Sequence, residues 1–386
     1  MSPMKLAVQK ERREHEHRVA ATPDTVRKLV AMGFDVTVES GAGDAAGYIN
    51  QAFQDMGAAI TGGLVATVKD ADIVLGVQRP LEKGEGESPL ESMKKGAVLI
   101  GLLAPLSNKG QAATYANADV DAFAMEFVPR ISRAQGMDVL SSQSSLAGYR
   151  AVLDGAAEFG RAFPMMMTAA GTIAPARVFV LGAGVAGLQA IATARRLGAS
   201  VSATDVRAAA AEQVESLGAT FLIPEGAGDA EDASGYAKVT SADAQAKQTA
   251  MVTETLKTQD MAICTALIPG RAAPTLIDDA MVAGMKPGSV IVDLAAEAGG
   301  NCTATKPGKV VRVNEVTIVG HLNTPSRIAT DASAMYARNL LNFLSPMITE
   351  GALTIDWDDE IIQATCLTRD GAVIHPRLTE ASGDDS

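Results

Sequence analysis

The chain has 386 residues, 47% of them hydrophobic and only 4% aromatic, with 36 glycines and a formal net charge of −12. That length suits about two domains, each with its own core, and closely packed α/β layers fit the composition better than an aromatic-rich sandwich. The acidic balance, with a pI near 4.9, argues against nucleic acid or an anionic membrane as a main partner. Cys264, Cys302 and Cys366 are too widely spaced for a disulfide framework or a thiolate zinc site, which points to a reducing compartment. The start, MSPMKLAVQK, shows no signal-peptide pattern. The longest apolar runs, AVLIGLLAPL and FPMMMTAAGTIAP, fall short of the roughly 20 residues that cross a bilayer, so no membrane span is expected.

The first third alternates strand-like and helix-like segments: KLAVQK, TPDTVRKLVAMG, FDVTVES, YINQAFQDMG, DIVLGV, SPLESMKKG, AVLIGLLAP and DAFAMEFV. In the first helix Thr22 caps, Pro23 takes the first helical position, Val26, Leu29 and Val30 face the core, and Gly33 stops the helix. Short helices between short apolar strands predict a mostly parallel sheet covered on both faces. A polar cluster follows, with Arg130, Arg133, Gln135, Asp138 and several serines. The segment SLAGYRAVLDGAAEFGRAF then places Leu146, Tyr149, Val152, Leu153, Ala156, Ala157 and Phe163 near a helical period, and a linking helix over 141–163 is expected. PMMMTAAG is read as a turn filled by flexible apolar packing.

A second alternation starts at Ala176: ARVFVLG, GLQAIATARRLG, SVSATDV, AAAAEQVESLG, ATFLI, a loop, AQAKQTAMVTETLKTQ, DMAICTAL, TLIDDAMVAGM, GSVIVDLAA and the paired runs KVVRV and VTIVG. The loop from Ile223 to about Ala244 is long for a compact α/β unit and suits a solvated linker or a mobile lid, with Tyr236 its only aromatic residue. TDASAMYARNLLNFLSPMI is a helix placed to return to the first domain, and TEASGDDS is a polar tail expected to fray.

RVFVLGAGVAGLQAIATARRLG carries the strongest chemical signal: strand, Gly182, Gly184, Gly187 and helix in the order a dinucleotide fold requires. Gly182 permits the turn, Gly184 admits the pyrophosphate to the backbone, and Gly187 lets helix and strand pack closely. The pyrophosphate would meet the helix N-terminus at Val185 and Ala186. Asp205, 23 residues beyond Gly182, can accept from both adenosine ribose hydroxyls and repels a 2′-phosphate, which favours NAD(H). Val206 and Arg207 flank that position. Thr265, Ala266 and Leu267, in TALIPG, and the loop DLAAEAGGN follow further strands and should line the ribose and nicotinamide side.

Other polar residues carry weaker signals. His15 and His17 lack a matching ligand array for a metal. His321 and His375 read as structural, and Asp278, Asp279, Asp358 and Asp359 as helix caps or solvent-facing groups. No nucleophile elbow or Walker loop occurs. Two enzyme classes fit: a substrate dehydrogenase with an acid/base group, or a protein that holds nicotinamide beside a second hydride carrier. A non-catalytic NAD-binding regulatory module also satisfies the glycine loop alone.

KERREHEHRVAATPDTVRKLVAMGF, PRISRAQGMDVLSSQSSLAGY, LGAGVAGLQAIATARRLGA, GYAKVT, TALIPG, SVIVDLAAEAGGNC and GHLNTPSR together resemble the NAD(H)-binding component of proton-translocating NAD(P) transhydrogenase, a family related to alanine dehydrogenase. The resemblance implies two Rossmann-like, doubly wound α/β domains, the second inserted into the first, with a cleft between them. The expected spans are 1–140, the linking helix 141–163, an NAD-binding domain 164–323, a return over 324–378 and a disordered tail over 379–386. It implies a homodimer at the cytoplasmic face of the inner membrane, held there by membrane-embedded subunits that carry the proton path and an NADP(H)-binding component. Hydride would pass between NADH here and NADP+ on that partner. Residue by residue, the family's nicotinamide contacts fall on Arg130, Gln135, Asp138 and Ser141, and its mobile loop on Gly235 and Tyr236. Alanine dehydrogenase-like chains carry a lysine and a histidine at two first-domain strand ends, where this chain has Gln78 and Ala104; Arg18 remains but cannot transfer a proton near neutral pH.

Overall fold

The structure, a computed structural model, describes residues 3–82, 84–224, 242–268, 270–349 and 351–379. The chain divides into two compact units, Met1–Gln143 with Ser326–Ser386, and Ser144–Pro325.

Unit one opens with β1 (Lys5–Val8), α1 (Pro23–Ala31), β2 (Asp35–Glu39), α2 (Asn50–Asp55), β3 (Ala59–Thr61), α3 (Leu64–Val68), β4 (Ile73–Gln78), β5 (Ala97–Leu102), α4 (Gln111–Asn117) and β6 (Val120–Ala124). The strands form one parallel sheet in the order β3-β2-β1-β4-β5-β6. Its alternation explains the continuous apolar runs. Leu6, Val36, Ile73 and Val98 pack in the core on one face, and Ala7, Val74, Leu99 and Ala122 in that on the other. In α1 the expected cap is present: Thr22 and Thr25 form a reciprocal capping box, Pro23 follows, and Gly33 turns at φ +96.

One expectation fails here, and three elements had not been anticipated. SPLESMKKG forms turns rather than a helix. Met93 N–H donates to Pro89 O, closing one turn, and the chain leaves it at Gly96, too short a run to repay helix nucleation. The short β3 and α3 gave no periodic signal. In α4 the buried set is Gln111, Ala112, Tyr115 and Ala116, which does not read as an apolar stripe.

Helix α5 (Val139–Glu158) begins before and ends before the expected 141–163. Its buried stripe also differs: Gly148, Ala151, Val152, Asp154 and Gly155 are buried, whereas Tyr149 and Ala157 are exposed and Phe163 lies beyond the helix. Small residues win because the helix packs on other backbone. A Cβ on Gly148 would stand 2.0 Å from Ala186 O, and one on Gly155 2.8 Å from the Met261 side chain.

Unit two continues with β7 (Met166–Thr168) and β8 (Gly171–Ile173), then β9 (Arg177–Leu181), α6 (Val185–Arg196), β10 (Ser200–Thr204), α7 (Ala210–Ser216), β11 (Thr220–Phe221), α8 (Ala242–Leu256), β12 (Met261–Cys264), α9 (Asp279–Gly284), β13 (Val290–Asp293), β14 (Val310–Val313) and β15 (Val316–Val319). Seven strands form a sheet in the order β11-β10-β9-β12-β13-β15-β14, parallel except for the β14–β15 hairpin. The methionine run is not internal packing. It forms the antiparallel β7–β8 hairpin, with Met165, Met166, Met167 and Ile173 exposed. The expected lid residues Gly235 and Tyr236 lie outside the described residues, as does the tail beyond Thr379.

The chain then returns to unit one as α10 (Ala329–Leu344) and α11 (Glu360–Thr365). Tyr336 on α10 donates its hydroxyl to Gly76 O at 2.8 Å, on β4. After α11, Leu367 N–H donates to Ala122 O and Ala122 N–H to Thr368 Oγ1, so the C-terminal segment covers the edge of β6. No helix among the described residues is long and apolar enough to cross a membrane.

Candidate nucleotide site

In unit two the strand order reverses between β9 and β12, and the groups after β9, β10, β12 and β13 meet at one sheet edge. Strand β9 ends in Gly182 at φ +103, a conformation a side chain would strain. Gly182 N–H donates to Thr204 O at 2.9 Å, fixing the turn to β10. Helix α6 starts behind Gly184, which has no side chain to cap it. The first N–H groups of the helix, at Val185, Ala186 and Gly187, therefore have no acceptor within the helix and sit beside exposed Gly184 and Val185. A Cβ at Gly184 meets nothing within 4 Å among the described residues, so among them the space before these donors is open; at Gly187 it would stand 1.9 Å from Gly182 O. The donor row and the open approach fit an anionic diphosphate.

Asp205 follows β10. Its Oδ2 accepts from Ala183 N–H at 2.7 Å and its Oδ1 from Arg207 N–H at 2.9 Å, while the Arg207 guanidinium pairs with both oxygens at 2.8 and 3.0 Å. Burial would raise this carboxyl, but Arg207 and the two backbone donors overcome it and hold the pKa below the usual range. The group is therefore a fixed acceptor at neutral pH, oriented by the glycine loop itself. Val206 lies between the two paired residues.

Thr265 follows β12 and returns to the glycine loop, its hydroxyl lying 3.0 Å from Gly182 O and 3.2 Å from Leu181 O. Ala266 is half-buried and Leu267 is 49% exposed, so this loop presents an apolar surface beside the donors. The structure thus gathers Gly182, Gly184, Val185, Ala186, Gly187, Asp205, Arg207 and Thr265 to Leu267 on one edge. Sequence reasoning missed Gly148, whose lack of a side chain admits the start of α6; Asp293 and Asn301 bound the expected loop DLAAEAGGN, but what each of them holds carries no local pattern.

Unit one holds the other predicted residues. Arg130 and Gln135 are exposed, Gln135 in a 3₁₀ turn over Ser132–Met137. Asp138 stands immediately before α5 and accepts from Ser141 N–H at 2.9 Å and from the Ser141 hydroxyl, which is a helix cap. Two of the four candidates are therefore engaged with each other. The segment is anchored from α10 and α11: Asn339 and Asn342 both donate to Gly136 O at 2.8 Å, and Arg133 makes a double ion pair with Asp359 at 2.7 Å. Asp359 caps α11 and Asp278 caps α9, as their sequence contexts suggested.

The strand ends where an oxo-acid dehydrogenase would need its acid and base are occupied differently. Gln78 donates to Glu16 Oε2 at 2.8 Å. Arg18, 4% exposed, pairs with Glu16 at 2.6 and 2.8 Å and donates to Gln143 at 2.9 Å. Burial opposes the Glu16 charge, yet Arg18 and Gln78 hold its pKa down at about 2. Ala104 has φ +47, and its N–H donates to Glu126, as does Leu103 N–H. His375 is spent elsewhere, stacked on Phe127 at 4.8 Å.

Two doubly wound α/β units, one with a glycine loop and an acidic strand end at its switch point, define a nucleotide-binding protein of the Rossmann class. The alanine dehydrogenase/PNT N-terminal domain matches residues 7–147, and the C-terminal domain of that family matches residues 151–376. The first part of NAD(P) transhydrogenase subunit alpha of Rhodospirillum rubrum is 54% identical over 380 residues, covering 97% of this chain and 99% of that one. The crystal structure of transhydrogenase from Sinorhizobium meliloti is similar with a TM-score of 0.84 at 47% identity, covering 97% of this chain and 99% of that one. An L-alanine dehydrogenase structure shares the fold, with a TM-score of 0.80 at 24% identity and 99% of each chain covered. The chain belongs to the alanine dehydrogenase/PNT family.

Proposed function

We propose that this chain is the NAD(H)-binding component of a proton-translocating NAD(P) transhydrogenase, passing hydride between NADH and NADP+ held on a partner component. The observation that carries the reading is the pairing of an open glycine loop and Asp205 in unit two with unit-one strand ends that offer an amide at Gln78 and a methyl at Ala104. An oxo-acid dehydrogenase needs a proton donor beside its substrate. Hydride transfer between two nicotinamides needs none, because the bound cofactor supplies the hydride and the protein supplies position and exclusion of water.

The α6 donors and Gly184 would hold the pyrophosphate, and Asp205 the adenosine ribose hydroxyls. Asp205 disfavours a 2′-phosphate, which supports NAD(H) on this chain and NADP(H) on the partner. Arg130, Gln135, Asp138 and Ser141 are assigned to the nicotinamide: Ser141 and Asp138 through hydroxyl and carboxylate, Arg130 and Gln135 as exposed groups able to meet an incoming ring. None needs to move a proton to the substrate. The apolar β7–β8 hairpin supports a homodimer, since Met167 at 80% exposure is otherwise costly in water. Attachment to membrane-embedded subunits at the cytoplasmic face follows from the same assignment.

The test combines the purified chain with an NADP(H)-binding partner and follows reduction of an NADP+ analogue by NADH, beside an assay of pyruvate amination. Transfer should require both components. Ammonia-dependent NADH oxidation by this chain alone would instead make it an alanine dehydrogenase, and NADH binding without transfer to any acceptor would make it a regulatory module.

A further inference from the structure

The loop after β13 carries the motif DLAAEAGGN, and its last residue has a role that the nucleotide reading has not used. Asn301 is fully buried. Its side-chain amide accepts from Ala266 N–H at 3.1 Å and donates to Ala266 O at 2.9 Å and to Pro274 O at 2.7 Å. One planar group thus satisfies both polar atoms of Ala266, as a neighbouring strand would, at the point where β12 has run out of ladder. Only an amide offers donor and acceptor in this arrangement; aspartate has no donor and leucine has neither.

Asn301 is itself held from below. Its N–H donates to Asp293 Oδ2 at 2.8 Å, and that buried carboxylate also takes Ala295 N–H at 2.9 Å, Cys302 N–H at 3.0 Å and the Thr305 hydroxyl at 2.6 Å. Gly299 and Gly300, at φ +100 and +87, make the turn that brings Asn301 back toward β12. A path of hydrogen bonds therefore runs from the end of β13 through Asn301 to Ala266, and Thr265 continues it to Gly182.

Strand order gives this path a direction. Asp205 follows β10 on one side of β9, and Ala266 follows β12 on the other. A dinucleotide that places its adenosine ribose at Asp205 and its pyrophosphate at α6 must lay its second nucleoside over the β12 side. We infer that Asn301 is a positioning residue for the nicotinamide half of the cofactor, acting through the backbone of Ala266 and touching no part of the cofactor itself. The inference rests on the dinucleotide reading given above.

The test compares NADH with 5′-AMP, which has only the adenosine half, by titrating wild type, Asn301→Ala and Asn301→Ser, with Thr305→Val as a control that cuts one Asp293 bond and spares the Ala266 loop. In whichever Asn301 variant keeps a cooperative unfolding transition, the NADH Kd should rise about tenfold, the effect of losing roughly one net hydrogen bond. The AMP Kd should stay within about twofold of wild type, since the β10 side is untouched. Thr305→Val should lower Tm and leave the ratio of the two affinities unchanged. An equal rise for both ligands in the Asn301 variants, or no rise for either, overturns the inference. Failure of the wild-type chain to bind NADH at all overturns the dinucleotide reading first, and the inference with it.

Discussion

Replacing Gly184 or Gly187 by alanine adds the same methyl group at positions three residues apart and should weaken NADH binding in both cases but stability in only one. At Gly187 the new Cβ would stand 1.9 Å from Gly182 O and 2.9 Å from Gly182 C. Ordinary contact between such atoms is well above 3 Å, and the obstacle is backbone at a turn that is itself held to Thr204 O, so helix α6 must back away from β9. Overpacking of this kind costs about 1–3 kcal/mol, and a backbone obstacle belongs at the upper end. Gly187→Ala should therefore lower the unfolding midpoint and abolish NADH binding together. Gly184 sits at φ −75 and ψ −170, which alanine adopts freely, and among the described residues its Cβ would meet nothing within 4 Å. Gly184→Ala should keep the wild-type Tm within about 1 °C, corresponding to a stability change of a few tenths of a kcal/mol. If the pyrophosphate lies where the open donors are, that methyl takes its place and the NADH Kd rises by about tenfold or more. Intrinsic NADH fluorescence gives the affinity and circular dichroism the midpoint. A Gly184→Ala protein that binds NADH as tightly as wild type would refute the placement of the cofactor against this loop.

Gly148→Ala should also destabilise, by about 1–3 kcal/mol, although glycine to alanine in a helix interior normally stabilises by about 0.5–1 kcal/mol; the Cβ would lie 2.0 Å from Ala186 O, and urea unfolding reads the sign. Glu126 is raised to about 7 by burial, against the opposing hydrogen bonds from its own N–H and those of Ala104 and Leu103. Because the folded pKa lies above the ordinary carboxyl value, the contribution is full below about pH 4.5 and is lost as pH rises from there through about 7, by about 3 kcal/mol. Glu126→Gln should flatten that decline in urea midpoints measured from pH 5 to 8. Gln135→Asn should leave NADH affinity nearly unchanged and cut hydride transfer to partner-bound NADP+ steeply; equal losses in both would remove its assigned role.

What could be read from the sequence was what is enforced locally. Gly182 announces a positive φ, Thr22 and Pro23 announce a helix start, and apolar runs such as RVFVL announce a buried parallel strand because both faces are covered. The buried stripe of α5 was misjudged for a physical reason. A helical wheel favours large apolar residues, but here the helix approaches backbone at Gly148 and Ala186, so glycine and alanine hold the inner face while Tyr149 points to water. Asp138 and Ser141 were singled out only through the family resemblance, and their mutual cap was hidden inside a stretch that read as a polar cluster. Asn301 was placed only as the end of a loop, DLAAEAGGN, expected on the nicotinamide side, and its own contacts gave no signal. Its partners lie 35 and 27 residues away and exist only once β12 and β13 are side by side.

The two units also show how little topology alone decides about binding. Unit one has the same kind of switch point as unit two, between β1 and β4, where the groups after both strands meet. Its residues there are Gln9, Lys10, Glu11, Arg12 and Arg13 after β1, and Arg79 and Pro80 after β4. No glycine follows β1 to open the turn. Glu11 instead accepts from Val77 N–H at 2.6 Å, so this donor is taken by the chain's own carboxylate and not left for an anion. The cations are matched in the same way: Arg12 pairs with Glu39, and Arg13 and Arg79 converge on Glu85 at 2.9 and 3.1 Å, holding its pKa at about 2. In unit two the corresponding turn gives one donor, Ala183 N–H, to Asp205 at 2.7 Å and leaves those at the start of α6 open. The fold supplies two candidate crevices, and the turn chemistry, open donors in one and internal carboxylates in the other, selects which of them can receive a dinucleotide.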